Sequence, residues 1–136
     1  MPGLLQNHIA VITGAGSGIG RAIALGYARE GATVATLDIN GEPAAETAKA
    51  IRDAGSKAQA FTLDVSDRAA CRTVAAEVAK QLGQVSILVN NAGIAVGGPI
   101  EAVQLDDVRL QFDVNVVGQI AVTQAVLPRI RRAKGR

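Results

Sequence analysis

Thr13-Gly14-Ala15-Gly16-Ser17-Gly18-Ile19-Gly20 decides how this chain folds. The apolar run Ile9-Ala10-Val11-Ile12 precedes it, and Arg21-Ala22-Ile23-Ala24-Leu25-Gly26-Tyr27-Ala28 follows with apolar residues at helical spacing. The glycines therefore sit where a buried strand turns into a helix. A helix N-terminus carries unpaired N–H groups and a partial positive charge, so it attracts an anion such as a phosphate. Glycine lets the backbone turn sharply there and removes the Cβ that would hold a pyrophosphate away. An ordinary tight turn would use the same residues. The acid Asp38, roughly 20 residues past the middle of the loop at the end of a second apolar run, favours dinucleotide binding instead.

The rest of the chain alternates in the same way. His8 to Thr13 reads as the first strand and Arg21 to Glu30 as the first helix, stopped by Gly31. Thr33 to Asp38 is a second strand, Asn40-Gly41 a turn, and Glu42 to Ala54 a helix stopped by Gly55. Ala58 to Val65 is a third strand, and Ser66 is the expected N-cap of a helix that runs to about Leu82. Val85 to Val89 is a fourth strand, and Asn90 to Gln104 reads as a loop. Asp106 or Asp107 is expected to cap a long final helix, with Val108, Phe112, Val116, Ile120 and Leu127 marking its apolar side. Pro128 should kink or end it, and Lys134-Gly135 reads as an exit toward a further strand. Strands separated by helices must run parallel. The expected architecture is one α/β domain over 1–136, a doubly wound parallel sheet of about four strands.

Composition narrows the function. The chain has 136 residues, enough to bury about two-thirds of its unfolded surface in a single core. Aromatic residues make up only 2%, so Ala, Val, Ile and Leu must build that core. The net charge is +2, with Arg129, Arg131, Arg132, Lys134 and Arg136 gathered at the end. A solvated last helical turn accounts for these cations better than nucleic acid, because no aromatics are interleaved to stack on bases. Cys71 is the single cysteine and His8 the single histidine, so no internal disulfide or metal cluster is expected, and Cys71 reads as a small core residue. No signal peptide or bilayer-spanning run is evident, and the expected location is the cytoplasm, with no membrane partner.

The glycine spacing departs from G-x-G-x-x-G, since Ile19 falls where the third glycine would be. The pattern present is T-G-x-x-x-G-I-G. Together with Asp38, Asp64-Val65, Asn90-Asn91-Ala92-Gly93 and Val114-Asn115-Val116, it closely resembles the short-chain dehydrogenase/reductase family over nearly the whole chain. That resemblance implies a Rossmann-type fold and nicotinamide-dependent redox chemistry on a small alcohol or carbonyl substrate. It implies cofactor contacts at Gly14, Gly16, Ser17, Gly18, Ile19, Gly20, Asp38, Ile39, Asp64, Val65, Asn91, Ala92 and Gly93. A carboxylate at Asp38 can accept both ribose hydroxyls, and its alternative is a cap or turn residue. Asp64 is implied to hold the adenine amino group with Val65 against the ring, or else simply ends its strand. The Asn-Asn-Ala-Gly run is implied to line the cofactor cleft, although Asn in a turn is also plain backbone chemistry. Asn115 lies amid valines in a helix, where an amide is unfavourable unless it is hydrogen-bonded. The resemblance makes it one of four catalytic residues, holding a water linked to a lysine; a helix kink is its alternative.

The Asp38 carboxylate would repel a 2′-phosphate, and neither Ser17 nor Ile39 supplies a cation, so NAD is expected over NADP. The family's catalytic serine and Tyr-x-x-x-Lys are not found in this sequence. Tyr27 is the one tyrosine, in the first helix, and the last serine is Ser86. The chain is therefore expected to be the amino-terminal part of such an enzyme, inactive alone. The alternatives are a non-catalytic NAD-binding module and an interaction fragment that pairs through an open sheet edge. The fourth strand is expected at that open edge, and the last helix with an exposed apolar face, which together predict self-association.

Overall fold

Short aliphatic and β-branched runs form four parallel strands, β1 (Ile9–Thr13), β2 (Thr33–Asp38), β3 (Ala58–Thr62) and β4 (Ile87–Val89), in the order β3-β2-β1-β4. The computed structural model describes residues 2–136. The helices between the strands are α1 (Gly18–Arg29), α2 (Gly41–Asp53) and α3 (Arg68–Leu82). A last helical stretch comprises α4 (Leu105–Phe112), a π-helical segment (Asp113–Gly118) and α5 (Gln119–Ala133).

Two apolar clusters sandwich the sheet. Ala24 and Ala28 of α1 and Ala48 and Ile51 of α2 meet Ile12 and Val34 on one face. Cys71, Ala75 and Val78 of α3 and Val122, Val126 and Ile130 of α5 meet Val11, Ala35 and Leu37 on the other. Helices thus cover both faces, and the doubly wound parallel sheet is the architecture of the chain. The small alanines let α1 and α2 lie close to the strands. Cys71 is the core residue its sequence setting suggests; burial first, then the charges of Asp67 and Asp64, push its thiol pKa up.

Several boundaries differ from the sequence reading. Helix α1 begins at Gly18 rather than Arg21, so the glycines themselves form its first turn. Strand β3 ends at Thr62 rather than Val65, because Asp64 accepts from the Ser66 N–H at 2.9 Å and turns the chain. Strand β4 begins at Ile87 rather than Val85. The N-cap of α3 is Asp67, whose carboxylate accepts from the Ala70 N–H at 3.0 Å; the Ser66 hydroxyl instead donates to Asp64. Gln104 stands at the N-cap position of α4 without a side-chain capping bond, while Asp106 and Asp107 lie in its first turn, where negative charge suits the dipole. Pro128 does not end α5, which runs on to Ala133 and closes with Lys134 in the left-handed region.

The apolar side of the last helix is also reassigned. Phe112, Val116 and Ile120 face outward, Phe112 being 60% and Ile120 54% exposed. The face that meets the sheet carries Val114, Gly118, Val122, Val126 and Ile130. Strand β4 is the sheet edge, as expected. Arg136 seats on it: its N–H donates to the Ser86 carbonyl at 2.7 Å, and the Leu88 N–H donates to the Arg136 carbonyl at 2.9 Å. That pattern is one rung of a parallel ladder, in line with the exit read at Lys134-Gly135.

Gly118 sets how closely this helix approaches the segment that follows β3. A Cβ there would stand 2.8 Å from Val65 Cγ2 and 3.0 Å from the Val65 carbonyl oxygen. Gly118→Ala is expected to lower stability by about 1–3 kcal/mol through overpacking. Urea unfolding checks it, and an unchanged midpoint would remove the claim.

Candidate functional site

The strand order reverses between β1 and β4, since the chain moves outward through β2 and β3 and then returns to the other side of β1. Loops leaving the carboxyl ends of such neighbouring strands diverge and open a crevice. A cleft of about 600 Å³ lies here. Gly14, Ser17, Gly18 and Ile19 from the glycine loop line it, with Asp38 and Ile39 after β2 and Asp64 and Val65 after β3. Asn91, Ala92 and Gly93 after β4 complete the wall.

The glycine loop is shaped by contacts behind it. Gly14 has φ +65°, a left-handed conformation that disfavours a side chain, and a Cβ on it would stand 2.8 Å from Asn91 Nδ2. A Cβ on Gly20 would run into the Gly14 carbonyl and the Asn91 amide. Gly18 has φ +54° and nothing within 4 Å of where its Cβ would be, so open space lies over it. Helix α1 starts at this point with no side-chain cap, Ser17 being its N-cap residue. An anion at this point would meet first-turn N–H groups and the positive end of the helix dipole.

Thr13 ties the two loops together. Its hydroxyl oxygen accepts from the N–H groups of Asn91 (3.0 Å) and Ala92 (2.9 Å). The Asn91 side-chain amide donates to the carbonyls of Thr13 (3.1 Å) and Gly14 (3.3 Å). Sequence reading placed Thr13 in the motif but gave it no role; the signal was a hydroxyl on the last residue of an otherwise aliphatic strand.

The two acids are both turn residues and cleft residues. Asp38 Oδ2 accepts from the Gly16 N–H at 2.9 Å, and Oδ1 accepts from the Asn40 N–H at 3.0 Å. Asp64 Oδ1 takes the Ser66 N–H and hydroxyl, at 2.9 and 2.6 Å. Each carboxylate oxygen has more than one lone pair, so these bonds leave acceptor capacity facing the cleft.

Three sequence-selected residues do not line the cleft: Gly16, Gly20 and Asn115. Gly16 and Gly20 work from behind the loop. Asn115 sits in the π-helical segment and clamps the backbone of Ile94, donating to its carbonyl at 2.7 Å and accepting from its N–H at 2.8 Å. Both ends of that amide are thus satisfied by the loop after β4. Leu37, Asn40, Leu63, Ile94 and Val114 also line the cleft and carry no site role in the sequence reading. Most are aliphatic, and nothing in their identity separates a cleft wall from a core. A smaller groove of about 400 Å³, with Arg68, Arg72 and Arg129 on its walls, shares no residue with the cleft. Among the described residues no group of three His, Cys, Asp or Glu is placed to hold a metal, and no helix is long and apolar enough to cross a membrane.

Comparison with known proteins agrees with this geometry. The family model described as short chain dehydrogenase matches residues 8–136. D-threitol dehydrogenase of Mycolicibacterium smegmatis is 38% identical over 131 residues, which is 96% of this chain and 50% of that protein. Human epidermal retinol dehydrogenase 2 is 42% identical over 125 residues, 91% of this chain and 40% of that protein. The crystal structure of a hydroxysteroid dehydrogenase from Escherichia coli superposes with a TM-score of 0.90 at 34% identity, covering 95% of this chain and 55% of the other. The chain spans about half the length of the relatives it matches.

Thr13→Val is expected to destabilise the chain by about 1–3 kcal/mol, since two N–H groups lose their acceptor. It should also loosen the loop after β4. Denaturant unfolding with amide exchange at Asn91 and Ala92 checks both; wild-type stability and exchange would refute the tie.

Proposed function

The chain belongs to the short-chain dehydrogenase family, and on that premise we propose that it supplies the NAD-binding half of an oxidoreductase. The bound nicotinamide would exchange a hydride with an alcohol or carbonyl substrate. Gly14, Ser17, Gly18 and Ile19 would take the pyrophosphate, with Gly16 and Gly20 holding the loop in shape. Asp38 would take the adenosine ribose and Ile39 flank it. Asp64 and Val65 would hold the adenine, and Asn91, Ala92 and Gly93 the far wall.

The observation that carries this reading is the Asp38 carboxylate on the cleft wall beside the uncapped start of α1. A negative charge there suits ribose hydroxyls and opposes a 2′-phosphate. Ser17 and Ile39, the neighbours that could have brought a cation, bring none. Cofactor preference for NAD over NADP follows from that pairing.

Asn115 is the member of the family's catalytic set that this sequence offers, and its clamp on Ile94 supports a positioning part for it. Tyr27 does not serve as the proton-handling tyrosine in this reading, because it packs against the α1–α2 core. Serine, tyrosine and lysine for catalysis would lie outside residues 1–136, and the chain by itself would bind the dinucleotide without turning it over. We place it in the cytoplasm, where its one cysteine, a buried free thiol, would stay reduced.

Calorimetric titration tests the cofactor. NAD is expected to bind at least about tenfold more tightly than NADP, a difference near 1.4 kcal/mol. Asp38→Asn is expected to narrow that gap. Comparable dissociation constants for the two on the wild-type chain would remove the preference, and no binding of either would remove the function.

Self-association belongs to the same reading. The outward stripe of Phe112, Val116 and Ile120 is apolar and uncovered among the described residues. Light scattering is expected to find a species larger than the monomer, reduced by Phe112→Lys; a clean wild-type monomer would count against it.

A further inference from the structure

The glycine loop is fastened to β2 and α2 as well as to β4. The Ala15 N–H donates to the Leu37 carbonyl at 3.0 Å, and the Gly16 N–H donates to Asp38 Oδ2 at 2.9 Å. The Ala15 carbonyl would be left over. It accepts from Thr47 Oγ1, in the middle of α2, at 2.9 Å. Ala15 and Thr47 are both fully buried, so no water can replace that donor.

The proton on Thr47 has a second destination. Oγ1 also lies 3.1 Å from the Pro43 carbonyl, the usual place for a threonine proton inside a helix. Arg21 Nη1 donates to Thr47 Oγ1 at 3.2 Å and occupies an acceptor lone pair. The hydroxyl's own proton goes to a carbonyl, that of Pro43 in the first turn of α2 or that of Ala15 in the loop. Arg21 stands in α1, just after Gly20. One buried oxygen therefore joins the loop to both helices on that face of the sheet.

We propose that Thr47 is a positioning residue for the dinucleotide loop: by holding the Ala15 carbonyl away from the cleft, it fixes the direction in which Ser17, Gly18 and Ile19 present their N–H groups to the pyrophosphate. The proposal rests on the dinucleotide reading above. It assigns a residue that lies outside the cleft and is separated from Ala15 by 32 positions. A loop free to rotate about Ala15 would have to be ordered by the ligand, and ordering is subtracted from affinity.

Thr36 provides the control. It is equally buried, and its Oγ1 donates to the Ala44 carbonyl at 2.9 Å without touching the loop. The Ala44 carbonyl lies within α2 and keeps its helical partner, so Thr36→Val controls for the loss of a buried threonine hydroxyl beside α2; a merely structural role predicts that NAD affinity and loop exchange follow global stability, read by urea unfolding, in both variants. We expect Thr47→Val to weaken NAD about tenfold and to speed amide exchange at Gly16 and Ser17 in the ligand-free chain. Thr36→Val is expected to leave both within about twofold, and Thr47→Ser, which keeps the hydroxyl, to restore both. If Thr47→Val does not fold, Thr47→Cys serves in its place, because a thiol is a weak donor. Wild-type affinity and slow loop exchange in the Thr47 variant, or equal losses in the Thr36 variant, would overturn the proposal. If the wild-type chain binds no NAD, the functional reading fails, and the ligand-free exchange comparison alone decides the part played by Thr47.

Discussion

The constraint on which the cleft depends is the contact of Gly20 with the Gly14 carbonyl and the Asn91 amide. It fixes the distance between two loops that leave neighbouring strands and then part. No side chain fits at Gly20, because the space is already taken by backbone and by Asn91. The Asn91 amide can reach the Thr13 and Gly14 carbonyls only because Gly20 leaves room for it. The Thr13 and Gly14 carbonyls and the Asn91 and Ala92 N–H groups at this corner all find internal partners, which is what burial demands. The start of α1 has no side-chain cap, and it stands at the cleft.

The order of elements was legible because its signals are local. Aliphatic runs ending at Thr13, Asp38 and Val89, with glycines after each helix, dictate strand, helix and stop. Boundaries were less legible because two neighbours competed for one role. Ser66 and Asp67 are both good caps, and the choice fell to Asp67 once Asp64 had taken the Ser66 hydroxyl. That decision depends on the third strand ending early, which no cap preference encodes.

The last helix shows a different limit. Phe112, Val116 and Ile120 form an apolar series at spacing four, and so do Val114, Val122, Val126 and Ile130 if Gly118 is counted among them. The two series differ by two residues, about half a turn, so they lie on opposite sides. A hydrophobicity count passes over Gly118 and breaks the second series where it touches Val65 most closely. Periodicity identified the helix and could not say which side meets the sheet. Contact decided it, through the absence of a side chain. The roles of Asp38 and Asn115 were half legible for a related reason. A carboxylate or amide has several bonding sites, and one of them can fix a loop while the residue still serves the cleft.

The two walls of the cleft are held in unequal ways. On the wall nearest β2 and β3, Ala15, Gly16, Asn40 and Ser66 bond to Leu37 or to the acids Asp38 and Asp64. Opposite, the loop from Asn90 to Gln104 has no strand or helix of its own. Beyond the Thr13 tie, its holds to the last helix are few. They are the Asn90 amide on Thr123, the Asn115 clamp on Ile94, and the Gln111 amide donating to the Val96 carbonyl at 3.2 Å. A ligand gains affinity from surfaces that need no ordering, so recognition by this chain should be concentrated where the glycine loop meets Asp38 and Asp64. The opposite wall contributes in proportion to how far Asn115 keeps it in place. The π-helical segment around Asn115 is therefore more than an irregularity: it carries the amide that makes two of the few bonds between the last helical stretch and this loop.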